Sequence, residues 1–421
     1  MEKIVLPNGI RVLVESCDWF RSTAMVLGIE GGLGDESEAN LGVTHLLEHL
    51  LFKRTGKRDT MQIASFMDEL GGDVNAFTDV TSVCLHGTVP TGRTTELLSF
   101  FAELLRDAKF GDAELVLEKE IIRQELLEAS DNPADIVYQN LCECLWPESI
   151  YRYPVFGTFR SIEKLSTRDV RQRLAALLNG KRIFIAASGN LRPAAFAQEV
   201  EKLFGDLPAV EWDRPQLPEM KCGSRLISHP VHQVHLALAQ QAPSVRDKDY
   251  LEAMVFSNIF GEGMSSRLFQ LLREEKGLAY DVSTHIESVA NVGLLVTSAV
   301  LEREAIHEAL DLILSEMHKV RDNSVTLAEL ERVKRFISAQ LEMELDSVSA
   351  RLWRMVETEL QLGRFVSAEE VLTKIEGMTL PDLNRFIEQR VLFSGNALVL
   401  GGDVGGLELR DEVRKFCDVI L

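Results

Sequence analysis

Short apolar stretches that suit β-strands alternate along the chain with longer stretches in which apolar residues recur at helical spacing. Strands are predicted at residues 10–14, 24–29, 83–86 and 182–188. Helices are predicted at residues 60–70, 94–106, 112–129, 134–145 and 167–178. Because strands and helices are mixed locally and do not alternate strictly, the pattern favours an α+β fold over a doubly wound parallel sheet.

The second half of the chain repeats the pattern of the first half. The strand at 182–190 and the helix after it return at 396–403 and in the C-terminal helix. Two helices predicted near 302–321 and 326–345 echo two helices of the first half. This self-similarity predicts an internal duplication, with one α+β domain in each half.

Residues 206–224 separate the two halves and are rich in proline and polar residues, which is typical of a linker between domains. We therefore predict an N-terminal domain at residues 1–208, a linker at 209–223 and a C-terminal domain at 224–421. With 421 residues, the chain is long enough to form two large cores.

One predicted helix carries an unusual set of polar residues, His45, Glu48 and His49, among leucines. Positions four apart lie on one helix face, so His45 and His49 can offer two imidazoles to one metal ion. Glu48 lies beside them, within reach of a water at the metal. This order of residues is the inverted form of the zinc-protease sequence His-Glu-x-x-His.

Zinc suits this set, because two neutral imidazoles and a carboxylate leave a fourth position open for water, whose pKa then falls towards about 7. The alternative is a chance arrangement on the solvent face of an amphipathic helix. The neighbouring residues are apolar, however, namely Leu46, Leu47, Leu50, Leu51 and Phe52. The helix is therefore expected to be buried nearly all round, and buried imidazole and carboxylate groups need partners.

A third protein ligand is expected from the long helix predicted at 112–129. This helix carries five glutamates, Glu114, Glu118, Glu120, Glu125 and Glu128. Glu118 and Glu125 lie seven residues apart and therefore share a face. Periodicity alone does not choose between these glutamates, since most glutamates on such a helix are merely solvated.

The second copy lacks the metal-binding residue types. When the two copies are aligned, the residues that face the His-x-x-Glu-His motif are Ser266, Phe269 and Gln270, and Ser338 faces Glu125. We therefore expect metal chemistry in the N-terminal domain and none in its C-terminal copy.

The net charge of −20 disfavours binding to nucleic acid and favours basic or neutral partners. The six cysteines are scattered, which is typical of reduced thiols in a reducing compartment. Apolar runs stay well short of about 18 residues, and the N-terminus has none of the features of a signal peptide. We therefore expect a soluble cytoplasmic protein with no membrane partner.

With these motifs, the chain resembles the pitrilysin-type zinc peptidases, or inverzincins. Within them it is most similar to the short subfamily related to the mitochondrial processing peptidase and its bacterial homologues. The resemblance covers essentially the whole chain and rests on four segments. They are His45 to Phe52, Gly71 to Thr78, the pair Glu118 and Glu125, and the stretch from Arg273 to Tyr280.

The resemblance implies an α+β fold of two homologous domains, each a mostly antiparallel sheet covered by helices, that form half of a clam-shell chamber. It implies one zinc ion (Zn²⁺) per chain. The implied ligands are His45, His49 and Glu125, with Glu118 as a supporting carboxylate near the site.

The resemblance also implies where a substrate is bound. Asn75, Ala76 and Phe77 would lie on an edge strand to which an extended peptide adds as a further strand. Arg273 and Tyr280 of the second domain would contact the substrate at the scissile bond, where either can stabilise the oxyanion. Residues 79–86 differ from those of many relatives, which leaves the substrate subsites open.

The predicted function is that of a zinc-dependent endopeptidase acting on extended or unfolded peptides, with Glu48 as the general base for the attacking water. The alternatives are a non-catalytic or partner subunit of a heterodimeric processing peptidase, and a different metal hydrolase on the same fold. Because one chain supplies only half of the implied chamber, we expect a homodimer. A heterodimer with an inactive paralogue is the alternative assembly.

Overall fold

The computed structural model describes residues 1–390 and 397–418. Its first sheet has six strands, β1 (Glu2–Val5), β2 (Arg11–Ser16), β3 (Ser22–Glu30), β4 (Asp73–Thr78), β5 (Ser82–Pro90) and β6 (Ile183–Gly189). The strand order is β1-β2-β6-β3-β5-β4, and only β2 and β6 run parallel among these neighbours. Strand β4, in the segment implied to bind substrate, lies at one edge of this sheet.

The second sheet has five strands, β7 (Gly223–Ser228), β8 (Val234–Ala242), β9 (Ala279–Val289), β10 (Val292–Leu301) and β11 (Ala397–Gly402). Their order is β7-β11-β8-β10-β9, and only β7 and β11 run parallel. The order β2-β6-β3-β5-β4 in the first sheet has the same connectivity and directions. This correspondence confirms the predicted α+β class and the duplication. Residue 396, at the start of one predicted repeat, lies outside the described residues.

Helices flank these sheets. The first half contains α1 (Val43–Leu51), α2 (Thr60–Leu70), α3 (Thr94–Arg106), α4 (Asp112–Asp131), α5 (Pro133–Leu145), α6 (Phe159–Lys164), α7 (Thr167–Leu177) and α8 (Pro193–Phe204). The second half contains α9 (Tyr250–Phe260), α10 (Ile306–Asn323), α11 (Leu327–Glu344), α12 (Val348–Leu362), α13 (Ala368–Gly377), α14 (Leu380–Arg390) and α15 (Asp411–Asp418). Of these, α2, α3, α4, α5, α7, α10 and α11 correspond to helices that the periodicity predicts. Among the described residues, every helix is too short or too polar to cross a membrane.

The stretch that aligns with α1 in the second copy is a π-helix, Phe269–Glu275. Both stretches follow a glycine in the left-handed region, Gly42 in the first copy and Gly263 in the second, each with a φ of 83°. A side chain is strained at such a φ, which explains why glycine stands at both positions. A π-helix is rare and is frequently found at functional sites.

The chain packs as two compact units, and each contains a segment from the other half of the sequence. The first unit consists of Met1–Leu127, Pro154–Gln216 and Met343–Val366. The second consists of Glu128–Tyr153, Leu217–Glu342 and the described residues from Ser367 onward. The units therefore differ from the two sequential domains that the sequence predicts. Helix α5 of the first half belongs to the second unit, and helix α12 of the second half belongs to the first, so these two helices are exchanged. An apolar helix face does not specify which of two similar sheets it will cover.

In the first unit, helix α12 covers the face of the sheet that α1, α3 and α8 leave open. Leu352 and Met355 of α12 pack against the fully buried Phe184 of β6. Buried Glu359 accepts hydrogen bonds from Lys3 Nζ at 2.7 Å and from Arg11 Nη1 at 3.2 Å. These bonds satisfy a buried carboxylate and fix α12 on β1 and β2.

In the second unit, helix α5 occupies the equivalent place against β11, β8 and β7. Arg225 of β7 forms an ion pair with Glu143 of α5 at 2.6 Å. The opposite face of this sheet packs on a core that includes Phe256 of α9, Leu310 of α10 and Ile387 of α14. Each sheet is thus buried on both faces, one of them by the exchanged helix.

Candidate metal centre

Helix α1, which carries the His-x-x-Glu-His motif, is fixed at its start by a buried carboxylate. Glu36 accepts hydrogen bonds from the backbone N–H of Gly42 at 2.6 Å and of Thr44 at 2.8 Å. The first N–H groups of a helix have no acceptor within the helix, so Glu36 satisfies two groups that would otherwise be unpaired. The direction in which the motif residues project is fixed as a consequence.

The two sides of α1 differ in burial. Its apolar residues, Val43, Leu46, Leu47, Leu50 and Leu51, are buried in the core of the first unit. His45, Glu48 and His49 lie on the other side and are partly exposed. The motif side chains therefore line a surface that solvent or a ligand can reach, while the helix itself is held by its apolar side.

The structure brings His45 and His49 of α1 together with Glu125 of α4. The candidate ligand atoms of these three residues all lie within 4.8 Å of one another. His45 Nε2 is 3.9 Å and His49 Nε2 is 3.5 Å from the carboxylate oxygens of Glu125. Ligands about 2.0–2.2 Å from a tetrahedral zinc ion are separated by about 3.3–3.5 Å, so the cluster needs only small shifts to hold one. Within residues 1–390 and 397–418, no other three His, Cys, Asp or Glu residues are grouped in this way.

The state of His45 also fits a metal ligand. Burial, together with a smaller effect of the neighbouring His49, lowers the pKa of His45 to about 3, so the ring is neutral at neutral pH. The neutral imidazole is the form that binds a metal. Nδ1 of His45 is buried and has no hydrogen-bond partner among the described atoms. An unpaired buried nitrogen is costly, which indicates that the ring is not retained for structural hydrogen bonding.

His49 is oriented by a second glutamate of α4. Its Nδ1 lies 3.2 Å from Glu118 Oε2, and Lys53 Nζ lies 2.9 Å from the other oxygen of the same carboxylate. When Nδ1–H donates to Glu118, the lone pair of Nε2 faces Glu125, which is the arrangement a metal requires. The geometry thus distinguishes two glutamates that periodicity alone left equivalent. Glu125 lies on the Nε2 side of His49, and Glu118 lies on the Nδ1 side.

Glu48 is held by a residue that the sequence did not single out. Thr78 Oγ1 donates a hydrogen bond of 2.6 Å to Glu48 Oε2. Burial raises the pKa of the Glu48 carboxyl, and the hydrogen bond from Thr78 acts in the opposite direction. The available signal was the position of Thr78 at the end of the segment 71–78. That segment forms strand β4, which packs beside α1.

The three residues implied to bind substrate lie together on the edge strand β4. Asn75 is exposed, while Ala76 and Phe77 are half-buried. The backbone N–H of Ala76 donates to Asn75 Oδ1 at 2.8 Å, and the Phe77 ring packs against Trp353 of α12 with centroids 5.5 Å apart. In the described part of the first unit, β4 pairs with β5 on one side only, so its other side is available for a further strand.

Arg273 and Tyr280 belong to the second unit, whereas the candidate metal ligands belong to the first. Arg273 lies in the π-helix and Tyr280 near the start of β9. The guanidinium carbon of Arg273 is 5.7 Å from the centroid of the Tyr280 ring and 4.9 Å from that of Phe269. Tyr280 is 74% exposed, which is unusual for so large a ring. The structure thus brings these two predicted residues together on an exposed surface.

Sequence models of two related domains match most of the chain. The model described as "Insulinase (Peptidase family M16)" matches residues 11–158, and that described as "Peptidase M16 inactive domain" matches residues 164–337. The first match contains every candidate metal ligand, and the second contains Ser266, Phe269 and Gln270, which replace the motif residues in the second copy.

The chain is also similar to individual proteins over nearly its full length. A protein of Bacillus subtilis, described as an uncharacterized zinc protease, is 27% identical over 390 residues, which cover 92% of this chain and 95% of the relative. A crystal structure of a protease from Helicobacter pylori superposes with a TM-score of 0.87 at 19% identity, covering 95% of this chain and 99% of that one. A structure from Pseudomonas fluorescens, described as a peptidase M16 inactive domain, also has a TM-score of 0.87, at 20% identity over 95% of this chain and 97% of its own.

Proposed function

The chain belongs to the M16 family of peptidases, and from this premise we propose that it is a zinc-dependent endopeptidase acting on extended peptides. Relatives described as zinc proteases support a metallopeptidase at the level of the family. The observation that carries the proposal for this chain is the grouping of three candidate ligands within 4.8 Å beside a carboxylate held by Thr78.

The proposed ligands are His45, His49 and Glu125, with one zinc ion per chain. When bound, zinc polarises the scissile carbonyl and lowers the pKa of a nearby water. The neutral state of His45 and the contact of His49 with Glu118 support this ligand set. These residues differ from a surface acidic cluster, since the side chains of His45 and His49 are 14% and 15% exposed and Glu118 is buried.

Glu48 is the proposed general base. The attacking water transfers a proton to Glu48 as its oxygen bonds to the carbonyl carbon, and Glu48 then passes that proton to the leaving amine as the C–N bond breaks. Because Thr78 engages Oε2, we assign the transfer to Oε1. A carboxyl whose pKa is raised by burial is a better proton acceptor than a fully solvated one, which supports this role.

The substrate is proposed to be an extended peptide that pairs with β4. The support is the edge position of β4 and its closeness to α1, the helix that carries Glu48. A pairing peptide would replace Asn75 Oδ1 as the acceptor of the Ala76 N–H. Main-chain pairing requires an extended backbone, so folded proteins are expected to be poor substrates.

Arg273 and Tyr280 are proposed to stabilise the oxyanion at the zinc site of a second copy of the chain, which makes the proposed assembly a homodimer. The support is that both side chains lie together on an exposed surface of the second unit, where a second chain can reach them. A heterodimer with an inactive paralogue remains the alternative assembly.

The deciding experiment combines zinc analysis with cleavage of an unstructured peptide, using Glu48→Gln as the matched control. We expect about one zinc per chain in both proteins and cleavage by the wild type only. If the wild type contains zinc and cleaves no unstructured peptide in a diverse pool, the proposal of an endopeptidase is wrong. That result would favour the partner subunit of a processing peptidase.

A further inference from the structure

We propose that Lys53 is a positioning residue of the metal centre, which acts through Glu118 to set the orientation of His49. Lys53 lies two residues after the end of α1, and neither the motif nor the family likeness assigns it a role. Its action on the metal would be indirect. The Lys53 ammonium group contacts the Glu118 carboxylate, which in turn contacts the proposed ligand His49. The inference rests on the proposed zinc site.

The geometry forms a continuous chain of contacts. Lys53 Nζ lies 2.9 Å from Glu118 Oε1, and Glu118 Oε2 lies 3.2 Å from His49 Nδ1. On the far side of the ring, His49 Nε2 lies 3.5 Å from Glu125. One carboxylate therefore has each of its oxygens engaged by a different partner, which fixes the rotation of the carboxylate as well as its place.

The burial of Glu118 makes this contact more than a surface ion pair. The Glu118 side chain is 4% exposed and the Lys53 side chain 26% exposed. A carboxylate removed from water needs a compensating charge, and removal of one partner from a buried pair is strongly destabilising to the group that remains. Without the ammonium group, Glu118 loses the contact that directs Oε1 away from His49 and is free to adopt other rotamers.

The backbone of Lys53 is itself fixed, so that its side chain starts from a defined place. Its N–H donates to the carbonyl of Leu50 at 3.2 Å, and its carbonyl accepts a hydrogen bond from Thr60 Oγ1 at 2.7 Å. Thr60 is the first residue of α2. The junction between α1 and α2 therefore fixes the backbone position of Lys53.

The test measures zinc affinity rather than activity. Zinc-free wild type and Lys53→Met are titrated with zinc against a chelating dye, and Lys53→Met keeps the length and packing of the side chain while removing its charge. We expect the zinc affinity of Lys53→Met to be lower by about 10-fold or more, since the hydrogen-bond partners of ligand histidines typically contribute 10–100-fold to metal affinity. Lys53→Arg should restore most of the affinity, because it keeps a cation that can reach the carboxylate.

Two further variants identify the route. In Glu118→Gln, affinity should also fall, and adding Lys53→Met to it should produce little further loss, because both changes interrupt one chain of contacts. Lys57→Met is the matched control, since Lys57 is 69% exposed and lies 3.9 Å from Glu103, away from this carboxylate. Its zinc affinity should equal that of the wild type.

The outcomes separate this inference from the proposed function. Wild-type affinity in Lys53→Met, or a full additional loss in the double variant, would show that Lys53 does not act through Glu118. The zinc-free Lys53→Met protein should keep the circular dichroism spectrum of the zinc-free wild type, and a loss of zinc affinity that Lys53→Arg does not restore would assign Lys53 to general packing instead. If Lys53→Met does not fold, Lys53→Gln takes its place in the same titration. A wild type that binds no zinc would overturn the metal site itself.

Discussion

Thr78 Oγ1 donates a hydrogen bond of 2.6 Å to Glu48 Oε2, and this contact joins the edge strand β4 to the motif helix α1. The strand proposed to pair with substrate therefore also holds the proposed general base. The Thr78 hydroxyl fixes Oε2 of the Glu48 carboxylate and does not engage Oε1, to which we assign the proton transfer. The hydrogen bond thus provides a physical link between where a peptide binds and where its bond is attacked.

We expect Thr78→Val to lower kcat by about 10- to 100-fold. Valine keeps the shape of threonine but removes the donor, and a hydrogen bond to a charged group contributes about 1.5–3 kcal/mol. Steady-state kinetics on an unstructured peptide, together with zinc analysis, would measure the effect. Thr78→Ser is the matched control and should retain most of the activity. A kcat for Thr78→Val close to that of the wild type would mean that Glu48 needs no such support.

Glu48→Gln should retain zinc and lose several orders of magnitude in kcat. The amide keeps the size of the side chain but cannot accept the proton of the attacking water. His45→Ala should lose zinc and activity together, since it removes a proposed ligand. Metal analysis and peptide cleavage on the same preparations distinguish the two effects. Near wild-type turnover by Glu48→Gln would contradict the proposed mechanism.

Glu125 and Glu118 should respond differently to substitution. Glu125→Ala removes the carboxylate that lies 3.5 Å from His49 Nε2 and should abolish stoichiometric zinc binding. Glu118→Gln changes only the partner of Nδ1 and should weaken zinc binding by about 10–100-fold. Zinc titration of both apoproteins measures the contrast. If Glu125→Ala still held one zinc per chain, the third ligand would have to be another glutamate of α4.

The sequence predicted local structure well because local structure follows from local pattern. The helix predicted at 60–70 is α2 (Thr60–Leu70), which ends at Gly71 with a φ of 71°. The duplication was also visible, since equivalent strands carry equivalent apolar runs. The exchange of α5 and α12 was not predictable in this way. Each helix has an apolar face that suits either sheet, and the choice depends on contacts such as that of Glu359 with Lys3.

The residue pattern alone predicted the candidate site only as far as its residues lie on one motif, and Glu125 and Glu118 were chosen through the family resemblance. His45, Glu48 and His49 share a helix, so their closeness follows from helical spacing. Thr78 and Lys53 were not identified, because their roles depend on contacts between elements that are 30 and 65 residues apart in sequence, Glu48 with Thr78 and Lys53 with Glu118. A threonine or lysine beside a motif is usually a surface residue, and only the packed structure shows what each one contacts.

A partly buried ion pair in the second unit predicts how stability depends on pH. Arg267 donates to both carboxylate oxygens of Glu329, at 2.7 Å and 3.0 Å. Partial burial raises the pKa of Glu329, but the hydrogen bonds from Arg267 and Thr326 outweigh it and lower the pKa to about 2. The pKa in the unfolded chain is about 4.3, so the ionised carboxylate stabilises the folded state above that pH. This stabilisation is lost as the pH falls from about 4.3 through about 2.

We therefore expect Glu329→Gln to reduce the free energy of unfolding at pH 7 by about 2–3 kcal/mol. The difference from the wild type should shrink as the pH falls, with more than half of it gone by about pH 3. Denaturant unfolding at several pH values measures this difference. Glu331→Gln is a matched control on the same helix, because Glu331 is 45% exposed and forms an ion pair of 3.2 Å with Lys334 at the surface. A difference that is constant across this pH range would mean that the pair does not lower the pKa of Glu329.

The proposed assembly predicts that two defective chains can restore activity to each other. If Tyr280 of one chain acts at the zinc site of another, a mixed dimer of Glu48→Gln and Tyr280→Phe chains contains one site with both residues intact. Each variant alone should be inactive or impaired, and mixing them after dissociation should recover part of the wild-type activity on an unstructured peptide. Two Glu48→Gln chains carrying different affinity tags serve as the control, since no mixed dimer of them has an intact site. Mixed dimers isolated through two tags that show no recovery would contradict action between chains. A protein that stays monomeric at micromolar concentration while cleaving peptides at its full rate would contradict the dimer itself.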